Sequence, residues 1–163
     1  MTYYDEMAQS YNELYGEEQG KKLRLIAEHL KTSDQDSILD VGCGTGLSAN
    51  YFKGKITGID PSKKLLKQCP FPTVVGFAES LPFPDHSFDQ VICVSAIHNM
   101  EDPKKAMEEM CRVGKSHFVI SLLKKTSEEK KEQIKSLIQS QFEVVKVLDE
   151  EKDDVFVLQS KTI

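Results

Sequence analysis

No stretch of this 163-residue chain stays apolar over anything near the length of a membrane span. Met1-Thr2-Tyr3-Tyr4-Asp5 has none of the charged-then-apolar layout of a secretory leader. A cytoplasmic location is the expectation. Cysteine is scarce. Cys43, Cys69, Cys93 and Cys111 stand far apart with no C-x-x-C pair, which argues against a zinc centre or a disulfide framework. Positive charge is in deficit, with 21 Lys+Arg against 26 Asp+Glu and a net charge of −5. Unaided binding of RNA or DNA normally needs a basic face, so such a substrate would have to be held by a partner. There is also no repeat and no second domain. With 39% hydrophobic and 29% charged residues, the chain reads as one globular domain with room for a real core.

What is present is concentrated in Ser37-Ile38-Leu39-Asp40-Val41-Gly42-Cys43-Gly44-Thr45-Gly46. A short apolar run ends in glycines at alternate positions, and Leu47 to Phe52 can form a helix. Strand, glycine turn and helix open a nucleotide-binding α/β unit. The spacing Gly42-x-Gly44-x-Gly46 is not the G-x-G-x-x-G of a pyrophosphate cradle. Asp40 just before it would repel a pyrophosphate and suit an ammonium or sulfonium group; S-adenosylmethionine carries both. A second carboxylate, Asp60, closes Lys55-Ile56-Thr57-Gly58-Ile59-Asp60 about 20 residues on, where a ribose diol is held in such units. Its bland alternative is a helix N-cap ahead of Pro61-Ser62.

With Ile38–Gly46, Gly58-Ile59-Asp60 and Leu81-Pro82-Phe83-Pro84-Asp85-His86-Ser87-Phe88-Asp89-Gln90-Val91, the chain resembles the class I S-adenosylmethionine-dependent methyltransferases. It is most similar to the branch with quinone-biosynthesis and wobble-uridine tRNA methyltransferases. The resemblance runs from about Tyr3 to Phe118, and more loosely beyond. It implies an α/β, Rossmann-like, doubly wound seven-stranded sheet of order 3-2-1-4-5-7-6 with strand 7 antiparallel. It also implies one domain over 1–163, with an N-terminal helical lid and first helix in 1–32 and the core in 37–163. The implied cofactor is S-adenosylmethionine, held by Asp40, Gly42, Cys43, Gly44, Gly46, Asp60, Pro61, Ala78, Glu79 and Ser95. A tyrosine of the N-terminal segment contacts the ligand in the family; Tyr11 matches better than Tyr3. Phe77 stands where the family commonly has an adenine-binding aspartate, leaving Glu79 or the backbone of Ala78 and Glu79 for that contact.

The rest follows in order. Tyr4, Met7, Ala8, Tyr11, Leu14 and Tyr15 recur at helical spacing. Leu23, Ile26, Ala27 and Leu30 mark a second helix, with Lys21, Lys22 and Lys31 outside. Ser62 to Cys69 make a short helix, and Thr73 to Gly76 a third strand. Phe88 to Ser95 is a central strand, with Asp89 bonding locally at its start. Asp102-Pro103 opens a helix, and His117 to Leu123 is a fifth strand. A charged helix starts at Ser127. Phe142 to Leu148 and Val155 to Gln159 are joined by the polar link Asp149–Asp154, which permits an antiparallel hairpin.

His98 lies at the C-terminal edge of the sheet, where ligands of open α/β sheets bind, and imidazole titrates near neutrality. It is the candidate catalytic base, set against a purely structural role. His29, His86 and His117 read as surface or packing residues. The expected activity is methyl transfer to an unidentified acceptor: a small metabolite, a tRNA or a protein. The alternatives are a non-catalytic methyltransferase-like subunit supporting a partner, and an NAD-dependent oxidoreductase, which Asp40 and the glycine spacing disfavour. The tRNA-modifying relatives often need a small zinc-binding activator subunit, and the short third strand at the predicted sheet edge could accept one.

Overall fold

The computed structural model describes residues 8–161, and side chains from residue 16 onward. Seven strands form one sheet of order β3-β2-β1-β4-β5-β7-β6, with β7 antiparallel to both β5 and β6. They are β1 (Ser37–Val41), β2 (Lys55–Asp60), β3 (Thr73–Val75), β4 (Phe88–Cys93), β5 (Gly114–Leu123), β6 (Phe142–Asp149) and β7 (Asp153–Ser160). The order and the antiparallel seventh strand are those expected. The helices are α1 (Ala8–His29), α2 (Lys63–Leu66), α3 (Pro103–Val113) and α4 (Glu128–Gln141), with 3-10 turns at Leu47–Asn50 and Ile97–Asn99.

Alternation along the strands splits the core in two. Leu39, Val41, Val91, Phe118 and Ile120 face α3 and α4, meeting Met107, Met110, Ile134 and Ile138. Ile38, Ile56, Ile92 and Val119 face the other way, onto Leu23 and Ile26 of α1 and Leu30 just after it. Asp40 therefore shares the α1 face with Ile38, two residues before it.

Four local expectations are corrected. The two N-terminal helices are one, Ala8–His29. Gly20 does not break it, and its missing side chain leaves room for Tyr51: a Cβ there would stand 2.6 Å from the Tyr51 hydroxyl. Lys22 is not outside but buried, on the stripe of Ile26 four residues on. The helix after the glycines is only a 3-10 turn, because Gly54 (φ 130°) soon turns the chain into β2. Asp89 does not bond locally: it takes the Ser37 backbone N–H of β1 (2.8 Å) and the Lys115 ammonium of β5 (3.0 Å), tying three strands at their N-terminal ends. The helix after Asp60 is capped by Ser62, whose Oγ accepts from the Leu65 N–H at 3.2 Å.

The proline-rich connection after β3 has no helix of its own and is held by α3. Arg112 donates to the carbonyls of Leu81 (2.9 Å) and Phe83 (2.8 Å), and Glu109 accepts the Leu81 N–H at 2.9 Å. This pins the segment that brings Ala78 and Glu79 to the C-terminal edge.

Candidate active site at the C-terminal edge

Three left-handed residues, Gly42 (φ 75°), Gly44 (φ 56°) and Gly46 (φ 79°), turn the chain back across the ends of β1 and β2. A side chain at Gly42 would be strained and would meet Ala96 Cβ at 2.7 Å. The Gly42 N–H reaches the Ile59 carbonyl at 2.8 Å, fastening the turn to β2. Asp60, buried at the end of β2, completes the fastening. Its Oδ2 accepts the Gly44 N–H at 3.0 Å, and its Oδ1 accepts the Ser62 N–H at 2.9 Å.

Above this turn lies a cavity of about 300 Å³. Gly42, Gly44, Asp60, Pro61, Ala78, Glu79 and Ser95 line it, so seven of the sequence-selected positions converge on one space. Phe77 (65% exposed), Asn99, Met100 and Glu101 complete its rim. The Glu79 carboxylate is partly engaged, since its Oε2 accepts the Asp102 N–H at 3.1 Å. Cavities of this size hold small cofactors when a few polar groups converge among apolar walls.

Asp40, Cys43 and Gly46 do not line that cavity. Asp40 and Cys43 border an adjoining pocket of about 30 Å³ together with Gln19, Leu23 and Ser48, room for about one water. Gly42 and Val94 border both spaces. Burial pushes the Asp40 carboxyl up to about 7; the Ser48 hydroxyl, donating at 2.6 Å, opposes the shift, and nearby Asp60 adds to it. Tyr3 and the Tyr11 side chain lie outside the described residues.

His98 is also not in the lining. It sits half-buried in the 3-10 turn after β4, its Nδ1 buried without a partner. Burial holds its pKa below the ordinary value, only partly offset by Asp153, so the ring is neutral at physiological pH.

Sequence reasoning missed the cluster beside it. Lys22 of α1 forms a fully buried ion pair with Asp153 at the start of β7, at 2.8 Å and with side chains 1% and 0% exposed. The Ser95 hydroxyl accepts from Lys22 (3.0 Å) and donates to Asp153 (2.6 Å). Ser121 donates to the same carboxylate at 2.9 Å, and its oxygen accepts the Ser95 N–H at 2.7 Å. Ser95 is thereby held at φ 54°, a left-handed conformation rare for serine. The only sequence signal was the place of Lys22 on the apolar stripe of its helix.

A glycine turn fastened to a buried acid, under a cavity at the C-terminal edge of a 3-2-1-4-5-7-6 sheet, defines a nucleoside-binding α/β domain. The family model described as "Methyltransferase domain" matches residues 39–122. The chain belongs to that family, the class I S-adenosylmethionine-dependent methyltransferases, and S-adenosylmethionine is its cofactor. It is 34% identical over 102 residues to a tRNA U34 carboxymethyltransferase of Campylobacter curvus, covering 55% of this chain and 34% of the relative. The chain spans 59%, 47% and 34% of the length of the first three curated relatives it matches. Its fold matches a methyltransferase from Thermotoga maritima, with a TM-score of 0.77, 21% identity, and 97% and 98% of the two chains covered. It also matches a candidate methyltransferase of Haloferax volcanii solved with the Trm112 methyltransferase activator, with a TM-score of 0.79, 15% identity and 99% of each chain covered. Among the described residues no helix is long and apolar enough to cross a membrane, and no group of three or more His, Cys, Asp or Glu could hold a metal ion.

Proposed function

We propose that the chain transfers the methyl group of S-adenosylmethionine to an acceptor presented at the C-terminal edge of its sheet. The observation that carries this reading is Asp60. Its two oxygens are aimed by the Gly44 and Ser62 N–H groups, and the carboxylate borders the cavity with lone pairs suited to a ribose diol. Gly42 and Gly44 would lie beneath the sugar and the methionine part. Ala78 and Glu79 would hold the adenine edge, with Phe77 packing on its face. Asp40 would act on the cationic groups through the small adjoining pocket, with water between. The cofactor, when bound, supplies an activated methyl group with a neutral leaving group, so orientation can provide much of the acceleration.

The Asp153–Lys22 pair supports the wall on the acceptor side through Ser95. His98, held neutral, is the residue to take a proton if the acceptor carries one. As a general base it accounts for roughly 10²–10⁴ in rate. Turnover of His98→Ala checks this; undiminished turnover on the identified acceptor reduces His98 to a packing role. The acceptor is a small metabolite, a tRNA or a protein. Incubating the purified chain and cell extract with methyl-labelled S-adenosylmethionine, then finding what carries label, tests the activity. Label in no fraction, with cofactor binding intact, favours a non-catalytic subunit.

A small zinc-binding activator subunit is the partner this reading favours. β3 is a three-residue edge strand, and Val75 (51% exposed) and Phe77 stand out beside it. An added strand there would cover both and satisfy the open backbone. The net charge of −5 gives the chain no evident means of holding RNA alone. Purification from the native source tests this: recovery with a small cysteine-rich protein supports it, and a lone chain fully active on a metabolite refutes it. The reading also puts the chain in the cytoplasm, which fractionation of cells carrying a tagged copy tests.

A further inference from the structure

Among the described residues only His86 and Ser95 have a left-handed backbone without being glycine. Of the two, only Ser95 lines the cavity. That conformation disfavours an ordinary L residue roughly 5–30-fold. It persists only where the surroundings over-determine it. Three neighbours do so here. The Ser95 N–H ends on Ser121 Oγ, and its hydroxyl lies between Lys22 and Asp153. The Lys22–Asp153 ion pair and the Ser121 bond to the same carboxylate close the cluster. All three partners are buried, and none of them lines the cavity or the small pocket beside it. With its N–H and O–H both spent inward, Ser95 has neither left to donate to a ligand. What it gives the cavity is the direction of the chain.

That direction places the next residue. Ala96 Cβ fills the space that Gly42 leaves, 2.7 Å from where a Cβ at Gly42 would stand. Ala96 also begins the 3-10 turn, its carbonyl accepting the Asn99 N–H at 3.0 Å. The turn runs on into the rim residues Asn99, Met100 and Glu101. We propose that Lys22, Ser121 and Asp153 are positioning residues for the cofactor, acting through the backbone of Ser95. They hold Ser95 left-handed so that Ala96 seats on Gly42 and the wall and rim take the shape that receives S-adenosylmethionine. Freed of the cluster, the serine returns to negative φ, Ala96 leaves Gly42, and the cavity loses its fit. The inference rests on the cofactor reading above.

Glycine separates this role from a merely structural one, because it takes positive φ about as readily as negative. Calorimetry on the full chain measures S-adenosylmethionine affinity, and urea unfolding measures stability. Lys22→Met with Asp153→Leu should keep most of the stability yet bind roughly 5–30-fold more weakly. Adding Ser95→Gly to that pair should return affinity to within about threefold of the unaltered chain. Ser121→Ala, which keeps the ion pair, should weaken binding by a smaller factor that Ser95→Gly again offsets. If the charge-pair variant does not fold, Ser95→Ala and Ser95→Gly decide. Both remove the hydroxyl, and only alanine resists the left-handed backbone, so the Ser95→Gly chain should bind about threefold or more tightly than the Ser95→Ala chain. Unchanged affinity in the folded charge-pair variant, or a loss that Ser95→Gly does not restore, overturns the inference. Equal affinity of Ser95→Ala and Ser95→Gly also overturns it. An unaltered chain that binds no S-adenosylmethionine overturns the cofactor reading and this inference with it. Normal binding by the unaltered chain and every variant alike overturns this inference alone.

Discussion

The two sides of the cavity are built on different plans. The side at the glycine turn comes from two short runs, Val41–Gly44 and Ile59–Pro61, and is held by hydrogen bonds from backbone N–H groups at glycines and strand ends. The wall at Ser95 is instead backed by a cluster of Lys22, Ser95, Ser121 and Asp153, drawn from α1, the segment after β4, β5 and β7, which meet only in the folded chain. The first plan tolerates exchange of neighbouring side chains, because the backbone supplies the donors. The second depends on every member, because removing one leaves a charge or hydroxyl buried without its partner.

Breaking the second plan should have the largest effect. Lys22→Met leaves Asp153 buried and uncompensated and should cost about 3–5 kcal/mol of stability. Lys22→Met with Asp153→Leu should recover most of that loss. Urea unfolding of both variants measures the difference, and a cost below about 1 kcal/mol for Lys22→Met would show the pair to be dispensable.

Breaking the first plan should act on binding. Asp60→Ala removes a charged acceptor at the ribose and should weaken S-adenosylmethionine binding roughly 10–100-fold, from about 1.5–3 kcal/mol per such bond. Calorimetry reads this directly; unchanged affinity would detach Asp60 from the ligand.

Asp40 sharpens the comparison through pH. Its carboxyl titrates at about 7 in the fold against an ordinary 3.8. The folded state therefore holds a proton that the unfolded chain has lost between those values. The sign follows: this group's contribution to stability is complete below about 3.8 and is lost as pH rises to about 7, with no further change above. A cation bound beyond the small pocket favours the ionised form. Cofactor affinity should then rise toward tenfold per pH unit below 7 and level off above it. Proton release, measured by calorimetry in buffers of different ionisation heat, should accompany binding. Asp40→Asn should abolish both.

The smallest effect expected is at Phe77. Its exposed ring offers packing rather than a hydrogen bond, so Phe77→Ala should weaken cofactor binding only a few-fold, in line with about 0.5–1.5 kcal/mol for an aromatic contact. A hundredfold loss would make it a principal adenine contact.

The two plans also differ in how well they can be read before folding. The glycine turn and Asp60 follow from contiguous patterns whose geometry is local, whereas the strand order and the positions of Ala78 and Glu79 at the cavity were legible only through the family resemblance those motifs carry. Lys22 read as a solvated lysine because lysine is rarely buried without a partner, and its partner lay in what looked like a polar link. Asp153 is the first residue of β7, an assignment that composition alone opposed.

The Lys22–Asp153 pair has a further meaning for a chain made from its N-terminus. α1 carries a charge that the fold can bury only against β7, and β7 lies near the opposite end of the described chain. While the protein is being synthesised, that ammonium must stay hydrated, and α1 cannot dock in its mature seat. The wall at Ser95 then forms only after β7 has joined the sheet. A nascent chain stalled before β7 would carry its complete glycine turn and Asp60, yet would lack the buttress behind Ser95.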